Sequence, residues 1–241
     1  MSTSRATSRA ISRALPVALA GALIVLLGCS TGGDGDAPAT PSAAQAPAST
    51  VLEPAPAPAS TEPAQRRAGT RTRTASLSIP SIGLKGLRVI PYEGTTDDWP
   101  GTRIQDRGVA ASPYGDHGGV GPGEVGNYLV TAHRLSAGGP LRNLPSLDVG
   151  DAVLVTSGGK VYTYKITETR QTSFRSERSL AEQRAAVPGS PGKRPTKAMI
   201  TLSTCATPED NAAGNYWRDD KSNPEHRIDK VGVLVPSAAS E

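Results

Sequence analysis

Two residues combine nucleophilic and proton-transfer chemistry with positions suited to use it. Cys205 ends the run Thr201-Leu202-Ser203-Thr204-Cys205, and His133 ends Tyr128-Leu129-Val130-Thr131-Ala132-His133. Both runs read as short strands, so each reactive group stands where strand gives way to loop, the place where a rigid scaffold presents chemistry. A thiol with an ordinary pKa of about 8.5 is mostly protonated at neutral pH. A neighbouring imidazolium favours the thiolate, which can attack a carbonyl carbon. From these residues alone a second reading stays open, in which Cys205 is a small buried hydrophobe.

The elements that must position them are short. Strands are expected at 77–79, 84–90, 127–131, 152–156, 160–168, 198–203 and 231–235. Ser157-Gly158-Gly159 marks a hairpin between the fourth and fifth. Residues 91–126, rich in Gly, Pro and Asp, read as mostly loop, and 170–196 as a long loop with one turn of helix near 179–184. No segment sustains a 3.6-residue period, so the class is all-β, a sandwich or a barrel.

The chain has 241 residues, a net charge of +4 and a pI near 9.2. Three of those four charges come from Arg5, Arg9 and Arg13, which leaves residues 76–241 near neutral and argues against a nucleic-acid module. Two cysteines are too few for a disulfide framework. The 26 Gly and 21 Pro exclude a coiled coil.

Residues 1–28 read as a signal peptide or signal anchor, because three arginines precede the apolar run Ala14 to Gly28. As a helix that run spans roughly 22 Å, short for a bilayer core of about 30 Å. It ends in Leu26-Leu27-Gly28-Cys29, which resembles a bacterial lipobox and makes Cys29 the candidate lipid-attachment residue; the other reading is an uncleaved anchor. Either places the protein on the outer face of a cell membrane. Residues 29–75 are an Ala/Pro/Ser/Thr-rich linker with too little apolar content to offset the entropy of ordering. The catalytic domain is expected at 76–241.

TAH (131–133) and TLSTC (201–205), with Arg227 entering the last strand, resemble the sortase family of cysteine transpeptidases. LSIPSIGL (77–84), PGEVGNYLVTAHR (122–134), PLRNLPSLDVGD (140–151) and the PG-rich run 188–195 make it most similar to class E, the housekeeping sortases of high-GC Gram-positive bacteria. The resemblance implies a closed eight-stranded β-barrel with long loops and one or two short helices. It implies Cys205 as nucleophile, His133 as general acid/base and Arg227 as the oxyanion-stabilising cation, with no cofactor. The reaction implied is cleavage of an LPxTG/LAxTG-like sorting signal of a secreted protein at Thr–Gly, through a thioester. An amine of a peptidoglycan precursor would then take the acyl group. Thr204, before the nucleophile, is a candidate substrate-binding residue.

One departure stands out. Twenty-one residues separate Cys205 from Arg227, more than class E relatives usually show, and Arg218 within them is the second candidate for the cation. His117 and His226 lie in polar loops and read as solvated. Gly121–Gly126 matches G-x-G-x-x-G but leads into a strand, so the dinucleotide reading fails. Asp97, Asp98, Asp106 and Asp116 lack calcium-loop spacing, so no metal is expected. Two rival readings stand beside the sortase one. An L,D-transpeptidase also pairs Cys and His, but its Ser-His-Gly-Cys cluster is not the STCAT found here. The other is a non-catalytic extracellular lipoprotein binding module with Cys205 in its core.

Overall fold

The computed structural model describes residues 69–236. The apolar run 14–28, Cys29 and most of the 29–75 linker lie outside the described residues. Among those described, no helix is long and apolar enough to cross a membrane.

Eight strands close into a barrel: β1 (Ala75–Ile79), β2 (Leu84–Glu93), β3 (Ala110–Tyr114), β4 (Gly126–Thr131), β5 (Ala152–Ser157), β6 (Lys160–Ser173), β7 (Ala198–Cys205) and β8 (His226–Leu234). The order around the barrel is β1-β2-β3-β4-β7-β8-β6-β5, with β5 returning to β1. The β2–β3 and β4–β7 pairs are parallel and the others antiparallel. Three short helices decorate it: α1 (Trp99–Gln105), α2 (Glu177–Arg184) and α3 (Thr207–Ala212).

Alternation along the strands divides the molecule. Tyr128, Val130, Ile200 and Leu202 join Leu77 and Tyr164 in the barrel core. The intervening residues on β4 and β7, namely Asn127, Thr131, Thr201, Ser203 and Cys205, face the other way, yet all are buried. Part of their cover comes from α2, where Gln183 O accepts from Asn127 Nδ2 at 3.0 Å. Gln183 donates from Nε2 to Ser203 Oγ (3.1 Å) and to Asp229 (3.0 Å), and accepts from Thr96 Oγ1 (3.1 Å). A buried polar layer of this kind is stable only when its groups find partners.

The 91–126 region is more structured than its composition suggests. Asp98 caps α1 by accepting from Gly101 N at 2.7 Å, and Pro100 sits in the first turn. Gly101 lets that helix press onto β2, because a Cβ there would stand 2.3 Å from the Tyr92 hydroxyl. β3 escaped notice because four of its five residues are buried, so Ala110 to Pro113 show no alternation. β6 runs five residues past its expected end, and β8 begins five residues early with His226-Arg227-Ile228-Asp229-Lys230. Those polar residues are held in a strand because β6 and β7 pair with β8 on both sides. The helix expected near 179–184 is α2, capped by Ser176. At the other end, Arg71 pairs with Glu124 at 3.1 Å, so the basic end of the linker contacts the barrel.

Candidate active site

The ends of β4, β7 and β8 carry the three candidate side chains. Cys205 is the last residue of β7, and Arg227 of β8 is its direct antiparallel partner. On the other flank β4 runs parallel, with Thr131 opposite Ser203 and Ala132 N donating to Ser203 O at 3.2 Å. His133 follows two residues beyond the end of β4 on this flank.

Each of the three is engaged at rest. His133 Nε2 lies 2.9 Å from Asp106 Oδ1, at the C-terminal end of α1. No hydrogen bond joins His133 to Cys205 among the described residues. The Cys205 thiol is 8% exposed and donates to Asn223 Oδ1 at 3.7 Å. Burial pushes its pKa up to about 12, and the Asp219 carboxylate adds to the rise; Arg134 and Arg218 oppose it. The thiolate expected from sequence is therefore not the resting form. Desolvation of the sulfur outweighs the nearby cations.

Arg227 is 2% exposed and lies over the Phe174 ring, 5.0 Å from its centroid. Its Nη2 donates to Asp97 Oδ1. Nε and Nη1 are buried with no hydrogen-bond partner among the described residues. Burial lowers its pKa to about 10, against Asp229 and Tyr92, which leaves a cation at neutral pH. A buried guanidinium with unused donors suits an oxyanion that is absent at rest.

Arg218 is committed elsewhere. Nη1 donates to Trp217 O (2.6 Å) and Nη2 to Asn211 Oδ1 (2.7 Å), bracing the 206–226 insertion. Thr204 points away from Cys205, as alternation requires. It is fully buried, and its hydroxyl donates to Ala132 O at 2.8 Å, a bracing position between β7 and the chain after β4. His117 is exposed, as expected, but His226 is not a solvated loop residue. Its N and Nδ1 contact Asp210 at 2.9 and 2.7 Å, because β8 already begins there and α3 packs against it.

Sequence reading missed Asp97, Asp106, Arg134, Asp219 and Asn223. Arg134 lies inside the TAHR block. It grips Glu209 with both terminal nitrogens (3.2 and 3.1 Å) and reaches Cys205 O at 3.4 Å, tying the loop after His133 to the nucleophile's strand. The others sit in loops whose spacing carries no signal. Among the described residues, no group of three or more His, Cys, Asp or Glu could hold a metal ion.

A family profile described as "Sortase domain" matches residues 77–217, more than half of the chain, and includes His133 and Cys205 but not Arg227. Sortase SrtE1 of Streptomyces coelicolor is 29% identical over 139 residues, covering 56% of this chain. That alignment spans 36% of the relative's own length. Among solved structures, SrtA sortase from Actinomyces oris is 21% identical, with a TM-score of 0.51, over 68% of this chain and 79% of that one. Sortase E1 from Streptomyces coelicolor, solved with a tripeptide in the active site, is 25% identical over 68% of this chain and 89% of that one, with a TM-score of 0.49. The sequence match and the eight-stranded barrel agree, and the chain belongs to the sortase family.

Proposed function

We propose that this chain is a cysteine transpeptidase that cuts an LAxTG- or LPxTG-like sorting signal between Thr and Gly. The reading is supported by Cys205 ending β7 directly opposite Arg227 on β8, with His133 two residues beyond β4, the strand that flanks β7 on its other side. Cys205 attacks the threonine carbonyl, and the oxyanion of the tetrahedral intermediate falls to the unused Arg227 donors. His133 protonates the departing glycine amine, leaving a thioester. It then deprotonates the incoming amine of a cell-wall precursor, which releases Cys205. Before the first step His133 must leave Asp106 and take the proton of Cys205, the proton it then passes to the glycine amine.

The substrates are secreted proteins bearing C-terminal sorting signals, and the N-terminal segment holds the enzyme on the outer face of the membrane, through lipid on Cys29 or through the apolar run. Labelling cells with a clickable fatty acid tests the lipid: a Cys29→Ala protein that still labels removes that attachment. For the reaction, the protein is incubated with an LAxTG peptide and a small amine. Mass spectrometry is expected to find the acyl group on Cys205 and the amine-capped peptide in solution. No adduct on Cys205, or the same product from Cys205→Ala, overturns the reading.

A further inference from the structure

The insertion between Cys205 and Arg227 places a side-chain amide against the nucleophile, and only one end of that amide can face it. Asn223 Nδ2 donates to Asp219 Oδ2 at 3.0 Å, which turns Oδ1 toward the sulfur. Asp219 is well placed to hold this orientation. Its Oδ1 accepts from Asn223 N (2.8 Å) and Lys221 N (2.9 Å), and its own N donates to Asn223 O (3.1 Å). A carbonyl oxygen accepts the S–H of a thiol and offers nothing to a thiolate, so this contact favours the protonated form.

We propose that Asn223, oriented by Asp219, is a positioning residue that holds Cys205 as a covered thiol at rest, and that the 215–225 segment must swing away before the nucleophile is formed. The inference rests on Cys205 being the nucleophile of the function proposed above.

The segment is held by contacts that a bound substrate can replace. Lys221 lies over the half-exposed Trp99 at the start of α1, 5.3 Å from the ring centroid. Arg218 grips Asn211 of α3, and Arg175 lies over Trp217, 5.9 Å from its ring centroid. Partly exposed polar contacts of this kind are individually weak. The charged and titratable groups around the thiol are Asp219 and Arg218 from the segment, Asp210 from α3, Arg134 and its neighbour His133 from the loop after β4, and Arg227 from β8. With the segment away, the contacts of Asn223 and Asp219 are lost, while Arg134, His133 and Arg227 stay with the barrel.

The test uses the full chain carrying Cys29→Ala, which leaves Cys205 as the sole thiol. Asn223→Leu keeps the cover and removes the acceptor; Asp219→Asn keeps the turn and removes both the charge and the hold on the amide. Two readouts are followed against pH: the ultraviolet absorbance of the thiolate and the rate of alkylation by iodoacetamide. Both variants are expected to move the thiolate titration down by about one pH unit, with alkylation below the midpoint about tenfold faster. An unchanged titration overturns the proposal, even where alkylation quickens, because cover alone would then be the effect. If Asn223→Leu fails to fold, Asn223→Ala replaces it and the same two readouts decide. No peptide is used, so failure here is distinct from absence of transpeptidation.

Discussion

Asp97 and Arg227, 130 positions apart, form an ion pair whose side chains are each 3% exposed. It fastens the turn before α1 to the start of β8, beside the nucleophile. Asp97 is held at a φ of 67°, in the left-handed region that Asp tolerates better than most residues. Two charges this deep repay their desolvation only while paired.

Removing the acid should therefore cost far more than a surface change. Asp97→Ala leaves a buried guanidinium without its partner, and a loss of about 3–5 kcal/mol is expected. Urea unfolding measures it. A loss below about 1 kcal/mol would mean that water reaches Arg227 and that the pair does not secure the turn.

Arg227→Lys separates the two jobs of that residue. An ammonium can still meet Asp97, so the loss of stability should stay below that of Asp97→Ala. It cannot reproduce the guanidinium fork or the unused Nε and Nη1 donors. Acyl-enzyme formation on an LAxTG peptide is expected to fall by about 10²–10³-fold. Single-turnover acylation at the wild-type rate would remove Arg227 from the oxyanion role.

Thr204 offers a cleaner distinction between bracing and binding. Thr204→Val keeps the shape and leaves Ala132 O without its donor, at a cost of about 1–2 kcal/mol in unfolding free energy. Because the side chain lies on the face opposite Cys205, KM for the peptide should not change. A raised KM with unaltered stability would restore Thr204 as a substrate contact.

What the sequence made legible follows the physics of each element. β4 and β7 could be read because apolar runs ending in His133 and Cys205 have strand length and strand composition. β8 could be read only from Val231, because Arg227, Asp229 and Lys230 look like loop residues and become strand through pairing with β6 and β7. The identity of the site residues followed from the resemblance, while their resting state did not. Asp106, Asp97 and Asn223 reach His133, Arg227 and Cys205 from loops 18 to 130 positions away, and no local pattern encodes such contacts.

The raised thiol pKa carries a consequence for stability at alkaline pH. In the fold, burial holds Cys205 at about 12, well above the ordinary thiol range of about 8–9. Below about pH 9 the thiol is neutral in both folded and unfolded chains, and its packing contributes in full. Between about 9 and 12 the unfolded chain ionises and the folded one does not, so that contribution is lost as pH rises. In a Cys29→Ala background, unfolding free energies of the protein with and without Cys205→Ala should be compared at about pH 8 and about pH 10. The advantage of the cysteine is expected to shrink by about 1 kcal/mol across that interval. A constant difference would show that the folded thiol titrates like an exposed one, and that Asn223 and the closed segment do not shield it.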